Sequence, residues 1–498
     1  MSTYELIAFI LYFILVIGIG LFFFLKSRSA GSEKDYFLGG RKMNGFVAAL
    51  SAGASDMSAW VLMGLPGSIY LYGMGQVWIS VGLLIGTILA WIFVAPKLRR
   101  YSIRANDSIT IPQFLSNRFL SKNPSLQIIC AVIFMIVYCI YAASSIYACG
   151  TLFHTVVGWD PKIAMIIASC IIFLYTFLGG FNAVCWTDFF QGLLMLAALM
   201  SAPIIAVFVM QGADFTPKAP ISIPENYYNP LPGNGFDWTS ISTILSGLGW
   251  GLGYFGMPHI LIRYLSIRSE KDMKKSRMVG IIWTGLILIM ASVVALIGRQ
   301  FLGDLLVGEG KDQSLVFITL VRHLFPALLA GVFLSAILAA AMSTADSQLL
   351  ASSSAFASDI YRPVFRKNAS DKEMLWTGRV IVLIITVIAF AIASSPECKG
   401  IMALVECAWA AFGAAFGPVI ILSLFWKRFT YSGAVAGICT GFVVDMLWYA
   451  FLSTPTGLYE IIPGFIAGLI AAVVVTLLSK APSKEVTDLF EKAKEPTE

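Results

Sequence analysis

The sequence predicts an all-α, polytopic membrane protein. Of its 498 residues 58% are hydrophobic and only 12% are charged, whereas a soluble globular protein carries about 25% charged residues. The mean hydropathy is +0.82, and apolar stretches long enough to cross a bilayer recur along the chain. These observations exclude a soluble fold. They favour one transmembrane domain over residues 1–480, followed by a charged tail at 481–498.

Apolar stretches of suitable length predict about 13 transmembrane helices. The first is a retained span rather than a signal peptide, because no Lys or Arg precedes Lys26 and no small-residue cleavage site follows. The predicted spans lie at about 6–25, 45–70, 76–96, 126–150, 162–181, 186–210, 241–265, 278–298, 327–355, 376–395, 401–426, 432–453 and 458–478.

The basic residues alternate between the two sides of these spans. The loop after span 1 holds Lys26, Arg28, Lys34, Arg41 and Lys42, and no Lys or Arg follows span 2. Loops after odd-numbered spans, together with the tail, contain 28 of the 34 Lys and Arg residues. The positive-inside rule therefore predicts a cell-membrane protein with its N-terminus outside and its C-terminus in the cytoplasm. The net charge of +6 then reflects orientation and not a nucleic-acid partner.

Enzyme and metal-site motifs are missing from the sequence. The eight cysteines form no CxxC pair and the three histidines form no HxxxH or HExxH motif. No stretch outside the membrane is long enough for a catalytic domain. We therefore expect neither an enzyme nor an obligate protein partner, and we expect function to lie within the spans.

Span 2 carries an acidic residue within the sequence SAGASDMSAW at 51–60. Asp56 lies about 17 Å into the membrane at 1.5 Å per residue, where an unpaired carboxylate costs about 2.5–3.5 kcal/mol. A partner or a bound cation is implied. The alternative is that Asp56 caps a break in the helix and is satisfied by local N–H groups.

Span 7 is interrupted by five glycines and Pro258 within SGLGWGLGYFGMP at 246–258. Glycine costs about 1 kcal/mol relative to Ala in a helix, and Pro removes a backbone donor, so this density predicts a discontinuous helix that lines a cavity. The alternative is close helix packing through small residues.

Span 9 places Ala340, Ser343, Thr344 and Ser347 on one helical face, at i, i+3, i+4 and i+7. Hydroxyls on that face, together with carbonyls of an unwound facing helix, can replace the hydration shell of sodium. The alternative for such residues is hydrogen bonding to their own helix or plain packing.

Spans 2 and 7 are five apart and therefore cross the membrane in opposite directions, each as the first helix of a five-span block. Irregular segments at matching positions of two inverted halves indicate the substrate site of a secondary transporter. The core repeats are predicted at about 43–210 and 240–427.

The sequence resembles the sodium/solute symporter family, and most closely its proline-transporting members. The resemblance covers nearly the whole chain and rests on FLGGR at 37–41, SAGASDMSAW at 51–60, GWGLGYFGMPHI at 249–260, LSAILAAAMST at 334–344 and AWAAFGAAFGPV at 408–419. It implies a LeuT-type five-plus-five inverted-repeat fold. It also implies import of L-proline by alternating access, driven by an inward sodium gradient.

Residues at matching positions carry the family's roles. For sodium, the resemblance implicates the carbonyls of Ala54, Met57 and Ala340 and the hydroxyls of Ser343 and Thr344, with Asp56 and Ser58 also tied to sodium binding. Arg41 matches a coupling position, but a role only as a topology determinant in the basic first loop is an equal alternative. For substrate, the resemblance implicates Trp60, Tyr141, Trp250, Tyr254 and Pro258.

A second cation position is suggested at Asp188, Asp346 and Ser347. Asp188 matches a carboxylate associated with a further cation in related symporters, but an N-cap of span 6 is an equal alternative. Asp346 and Ser347 depart from the family pattern of small Ser and Cys residues. Asp346 either strengthens a cation site or faces the cytoplasmic vestibule.

Two other functions are compatible with parts of this pattern. One is a sodium symporter of the same family for another small amino acid or an organic carboxylate. The other is a channel or sensor with the same fold, although no signalling domain is present. An intramembrane enzyme is disfavoured, because no Ser/His or HExxH arrangement accompanies Asp56.

Overall fold

The computed structural model describes residues 3–27, 33–233 and 235–497. Arg28 and the last residue of the predicted tail lie outside the described residues. Within the described ranges the chain is helical without a β-strand, and one isolated parallel bridge joins Met43 to Ile267. The α-helices are α1 (Thr3–Ser27), α2 (Glu33–Leu38), α3 (Gly45–Asp56), α4 (Leu65–Tyr72), α5 (Val77–Leu89), α6 (Ala95–Arg104), α7 (Ile111–Arg118), α8 (Ser125–Val157), α9 (Pro161–Met210), α10 (Trp238–Gly249), α11 (Pro258–Ser266), α12 (Glu270–Leu302), α13 (Val316–Leu324), α14 (Ala327–Ala355), α15 (Asp371–Ala393), α16 (Ile401–Phe425), α17 (Tyr431–Phe451), α18 (Ser453–Thr456), α19 (Ile461–Leu478) and α20 (Lys484–Lys492).

Several of these helices continue into π or 3-10 geometry. The π-helical segments are Trp60–Gly64, Ala90–Val94 and Phe356–Phe365, and the 3-10 segments are Gly39–Arg41, Met74–Gln76, Trp250–Phe255 and Gln313–Leu315. By length and composition, ten helices in the described ranges can cross a membrane, or eleven if the bent pair Gly45–Asp56 and Trp60–Tyr72 is one span. The other two predicted spans, 5 and 7, are a shorter apolar helix at Pro161–Leu174 and the three pieces between 238 and 266.

Span 2 is broken where the sequence places its small residues and its acid. α3 ends at Asp56, and the chain resumes at Trp60 in a direction that differs by 61°. Near the break, the amide of Met57 still bonds the carbonyl of Gly53 at 2.8 Å, whereas the amide of Ser58 reaches only Asp56 O at 3.0 Å. The last turn of α3 therefore has carbonyls without their usual i+4 partners.

Span 7 is discontinuous, as its glycine content predicts. α10 ends at Gly249, six residues of 3-10 helix follow, and α11 starts at Pro258. The alternative of close packing also applies, because a Cβ placed on Gly251 would lie 2.3 Å from the carbonyl oxygen of Gly82 in α5. The glycines therefore both interrupt the helix of span 7 and allow it to pack closely against α5.

The boundary between predicted spans 5 and 6 is a kink within α9. Gly180 has a φ of 60° there, a conformation that glycine adopts at low cost because it lacks a Cβ. The second half of the helix begins at this kink and not near residue 186. Asp188 is therefore inside the helix, and the N-cap alternative for it is wrong.

The two ends of the helix bundle differ in composition. The basic face comprises residues 33–43, 97–122, 266–275, 426–431 and 480–497, and the opposite face comprises 73–76, 211–233, 235–237, 303–315 and 452–460. In the predicted tail, α20 packs on the basic face, where the ring of Phe490 lies 6.1 Å from that of Tyr101. The tail is thus part of the folded structure, although it is too short for a domain.

Candidate functional site

The end of α3 and the middle of α14 bring a cluster of oxygen atoms together. The hydroxyl of Ser343 lies 2.9 Å from the carbonyl oxygen of Ala54 and 3.1 Å from that of Ala340. The carbonyl of Ala54 is accessible to Ser343 because the amide of Ser58, four residues on, bonds elsewhere. Buried oxygen ligands from hydroxyls and carbonyls are the kind that a hard cation such as Na+ takes.

The other predicted sodium residues surround this cluster. Thr344 follows Ser343 and is fully buried, and within the described ranges its hydroxyl has no hydrogen-bond partner. Met57 and Ser58 lie in the break after α3, and the Ser58 hydroxyl oxygen accepts a long 3.4 Å bond from the amide of Trp60. The hydroxyls of α14 are thus split between bonds to their own helix and contacts across to α3.

Asp56 faces the aromatic side of the break. Its side chain is 1% exposed, and its Oδ2 accepts a 2.5 Å hydrogen bond from the hydroxyl of Tyr254. Its Oδ1 has no hydrogen-bond partner among the described residues. The alternative that local N–H groups cap Asp56 is therefore wrong, because the bond it makes spans from α3 to the broken span 7.

Four aromatic side chains form a wall beside Asp56. The ring centroids of Trp60 and Trp250 are 5.7 Å apart, and those of Tyr254 and Trp409 are 5.3 Å apart in edge-to-face geometry. Trp409 also donates from Nε1 to the carbonyl oxygen of Trp250 at 2.7 Å, which fixes the irregular backbone of span 7. Sequence reasoning missed Trp409, although it lies within the AWAAFGAAFGPV segment.

Tyr141 and Pro258 complete the predicted substrate residues. Tyr141 in α8 is fully buried, and its hydroxyl has no hydrogen-bond partner in the part of the chain that the structure describes. Its ring lies 6.1 Å from that of His259, directly after Pro258. Pro258 is the first residue of α11, a position where the missing N–H of proline costs no helical hydrogen bond.

The predicted second cation position contains a guanidinium. Nη2 of Arg263 lies 3.2 Å from Oδ2 of Asp188, and it also donates to the hydroxyl oxygen of Ser347. Ser347 Oγ lies 3.1 Å from Oδ1 of Asp346, which connects all the predicted residues of this position. Arg263 is among the 28 basic residues assigned to loops after odd-numbered spans, but it is 1% exposed and inside α11, so that assignment is wrong.

Arg41 lies at the basic face and not at the oxygen cluster. Its guanidinium donates to the carbonyl oxygens of Leu265 and Ser108, each at 2.7 Å, and to Oδ1 of Asp107 at 2.8 Å. Burial lowers the pKa of Arg41, and the carboxylate of Asp107 opposes this shift. Arg41 therefore joins the end of α11, where Leu265 is the next-to-last residue, to Asp107 and Ser108.

A cavity of about 250 Å³ opens toward the opposite face. It is lined in part by Trp250, Glu406 and Tyr459, so its lining includes the tryptophan whose ring contacts that of Trp60. The ring of Tyr459 lies 5.2 Å from that of Trp250. Trp250 thus belongs both to the lining of this cavity and to the aromatic wall beside Asp56.

Known proteins match this chain along nearly its full length. The family model described as "Sodium:solute symporter family" matches residues 36–441. The chain is 41% identical over 491 residues to the osmoregulated proline transporter OpuE of Bacillus subtilis, covering 98% of each. It is 41% identical over 495 residues to the sodium/proline symporter of Escherichia coli, covering 99% of this chain and 96% of that one.

Among solved structures, the chain is similar to a Na+-coupled sialic acid symporter in a substrate-bound, outward-open state. The TM-score is 0.77 at 19% identity, and the match covers 97% of this chain and 99% of the other. At this identity the similarity speaks for the fold alone. The all-α fold of LeuT type, which the family resemblance implies, is confirmed.

Proposed function

We infer the function from a firm premise, since the chain belongs to the sodium:solute symporter family, whose model matches residues 36–441. It is accordingly a multi-pass membrane transporter and not an enzyme. We propose that it is a sodium-coupled symporter that imports L-proline. The relatives named for proline transport support the substrate. The observation that carries sodium coupling is the contact of Ser343 with the carbonyls of Ala54 and Ala340.

In this proposal sodium is a cargo bound between α3 and α14. The carbonyls of Ala54, Met57 and Ala340 and the hydroxyls of Ser343 and Thr344 are its ligands. Two observations support this set: the carbonyl of Ala54 is released by the helix break, and the buried hydroxyl of Thr344 lacks a hydrogen-bond partner within the described ranges. These hydroxyl and carbonyl oxygens are neutral, and their dipoles can coordinate Na+ in place of its hydration shell.

L-proline occupies the space beside Asp56 and the broken span 7. Its compact apolar ring is enclosed by Trp60, Trp250 and Tyr141, and its polar groups meet the irregular backbone around Tyr254 and Pro258. Aromatic rings bury apolar surface without adding charge, and a zwitterion carries its own counter-charge. The hydrogen bond from Tyr254 to Asp56 supports a direct link between this pocket and α3.

Coupling follows from the shared helix. Residues 54–58 supply both the sodium ligands and Asp56, so occupation of one site fixes the backbone that the other site needs. Thermodynamic linkage then makes each ligand favour the other, and an inward sodium gradient drives proline accumulation. Alternating access operates through the repeats at about 43–210 and 240–427, in one domain over 1–480, and Arg41 contributes at the basic face.

The orientation belongs to the same proposal. The basic face is cytoplasmic, the N-terminus is outside and the C-terminal tail is inside, as the positive-inside rule predicts. The positions of three arginines support this assignment, because Arg41, Arg99 and Arg118 all lie at that face.

Proteoliposome uptake of labelled proline tests the function. We expect accumulation of proline that requires an inward sodium gradient. In Asp56→Asn, we expect sodium no longer to stimulate this uptake. Ser343→Ala should raise the half-saturating sodium concentration about tenfold, since one ligand worth roughly 1.4 kcal/mol is lost.

The matched control is Ser335→Ala. Ser335 is buried on the same helix, and its hydrogen bond among the described residues is to its own helix, to Gly331 O at 2.9 Å, so this variant should keep its sodium dependence. Undiminished uptake without a sodium gradient would contradict the proposal, as would an Asp56→Asn variant with normal sodium dependence. Competition by a panel of unlabelled amino acids and organic carboxylates tests proline as the substrate.

A further inference from the structure

A polar pocket of about 460 Å³ lies beside the basic face, where the segment between α7 and α8 meets the π-helical segment after α14. Three of its lining residues are cationic, namely Lys122, Arg362 and Lys367. The other described residues of the lining are serines, asparagines, a glutamine and prolines, and none of them is acidic. This composition suits an anionic ligand.

The positive charge of the pocket is only partly neutralised. Nη1 of Arg362 lies 2.5 Å from Oε2 of Glu33, which gives this cation a partner. Lys122 and Lys367 are exposed, and neither forms an ion pair within the described ranges. Two cations of the pocket are therefore available to an anion that binds there.

The nearby carboxylates face other partners. Asp359 is 0% exposed and accepts a 2.9 Å bond from the hydroxyl of Thr110. Glu373 accepts a 2.6 Å bond from the hydroxyl of Tyr361. Among the described residues neither carboxylate lines the pocket, and Asp371 at the start of α15 does not line it either. The charges of the two lysines are thus not cancelled inside the pocket.

Neutral donors in the pocket complement the lysines. The hydroxyl of Ser116 and the side-chain amide of Gln127 form no hydrogen bond with any other described residue. α8 begins at Ser125, directly after Asn123 and Pro124 of the lining, and its helix dipole favours negative charge there. Lysines, hydroxyls, amides and helix N-termini are the groups that proteins direct at phosphate oxygens.

Exposed apolar side chains flank the lining residues. Leu120, which precedes Ser121 of the pocket, is 48% exposed. Val364 and Phe365, which follow Pro363 of the pocket, are 49% and 65% exposed. In a membrane protein, apolar surface beside cations is typical of the boundary between acyl chains and headgroups. A ligand that satisfies both surfaces carries a phosphate and an apolar chain.

We propose that this pocket binds the phosphate-bearing headgroup of an anionic phospholipid, on the face that the proposed orientation places in the cytoplasm. The phosphate meets Lys122 and Lys367, and the acyl chains lie along Leu120 and Phe365. Soluble phosphate esters share the headgroup chemistry but leave the apolar surface uncovered. The bound lipid connects the start of α8 to the end of the helix that carries Ser343.

Lipid binding to the purified full-length protein in detergent is the first test. Native mass spectrometry counts retained dioleoylphosphatidylglycerol and, in a parallel sample, dioleoylphosphatidylcholine, whose headgroup has a phosphate but no net charge. We expect one more molecule of phosphatidylglycerol than of phosphatidylcholine at equal concentrations. Equal retention of the two lipids would overturn the proposal.

Competition distinguishes the two sources of phosphate. Inorganic phosphate and glycerol 3-phosphate are added at the concentration of the phosphatidylglycerol, and we expect neither to displace it. Displacement of the lipid by either compound would overturn the assignment to a phospholipid and indicate a soluble phosphate as the ligand.

Removal of the two lysines is the second test. Lys122→Gln with Lys367→Gln should weaken phosphatidylglycerol binding roughly 30-fold, since each lysine near a membrane surface contributes about fivefold. The matched control is Lys274→Gln with Lys275→Gln, which removes the same charge from exposed positions of the basic face. This control should bind as the wild type does. Unchanged binding in the pocket variant would overturn the proposal, as would equal weakening in both variants.

Thermal unfolding gives an independent readout, because a ligand that binds the folded state stabilises it. Phosphatidylglycerol should raise the Tm of the wild type and of the control variant more than that of the pocket variant. Equal increases in all three proteins would contradict the assignment of the lipid to this pocket. If the double variant fails to fold, Lys122→Gln alone should weaken binding about fivefold. None of these measurements involves transport, so their failure and the failure of sodium-driven uptake are distinguishable.

Discussion

The two faces of the molecule are closed by different interactions. At the basic face, buried arginines donate to backbone carbonyls of other segments: Arg41 to Leu265 at 2.7 Å, Arg99 to Ile267 at 2.6 Å and Arg118 to Ser423 at 3.1 Å. At the opposite face, a cavity of about 250 Å³ ends at the rings of Trp250 and Tyr459, whose centroids are 5.2 Å apart.

The difference concerns directionality. Hydrogen bonds from charged donors are worth about 1.5–3 kcal/mol each and are lost once the geometry changes. Aromatic contacts are worth about 0.5–1.5 kcal/mol beyond burial and tolerate sliding. We therefore expect opening of the opposite face to require less free energy than opening of the basic face. The arginines then determine which face opens first.

The largest effect is expected from Arg41→Ala. This change removes charged donors from the carbonyls of Leu265 and Ser108, so the basic face should open too readily and allow solute to leak back. Steady-state proline accumulation should fall at least tenfold, since the loss exceeds about 1.4 kcal/mol.

The control for that experiment is Lys42→Ala. The neighbouring Lys42 side chain is 81% exposed, so its removal should leave accumulation close to wild type. Normal accumulation in Arg41→Ala would show that these arginine bonds do not limit opening, and the contrast between the faces would then fail.

An intermediate effect is expected from Trp409→Phe. The variant keeps a ring but loses the bond from Nε1 to the carbonyl oxygen of Trp250. A net loss of about 1 kcal/mol should raise the apparent KM for proline roughly fivefold. Trp376→Phe, a change of the same kind at a half-exposed residue of α15, should leave KM unchanged. Equal KM shifts in both variants would remove the special role of the aromatic wall.

The smallest effect is expected at the docked tail. Lys494 and Lys427 lower the pKa of Glu491, so this carboxylate stabilises docking above its ordinary pKa and loses that effect as the pH falls through the lowered value. Hydrogen exchange of residues 484–492, corrected for intrinsic rates, should show less protection at low pH. Glu491→Gln should show reduced protection already at neutral pH. If the tail is equally protected in all these conditions, Glu491 does not contribute to docking of the tail on the basic face.

Sequence reasoning reached the features that depend on local composition. The predicted span 327–355 has the same bounds as α14, and the helix continues beyond it in π geometry to Phe365. The breaks at Asp56 and after Gly249 followed from small residues and an acid, whose local cost is the same in any fold.

The missed features depend on distant partners. Arg263 lies at the end of an apolar stretch. A count of basic residues cannot distinguish a cation in a loop from one that bonds Asp188, 75 positions earlier, on another helix. The role of Trp409 rests on a bond to Trp250, 159 positions earlier. The kink at Gly180 was placed some residues late because apolar composition continues through it.

One contact at the basic face bears on how the protein is made. The guanidinium of Arg99 donates to the hydroxyl of Thr497, 398 positions later, at 2.9 Å. At a synthesis rate of about 5–20 residues per second, the ribosome needs roughly 20–80 s to supply that partner. A nascent chain therefore resides in the membrane for this interval before the bond from Arg99 to Thr497 can form. Membrane insertion factors and proteases encounter the chain without that bond.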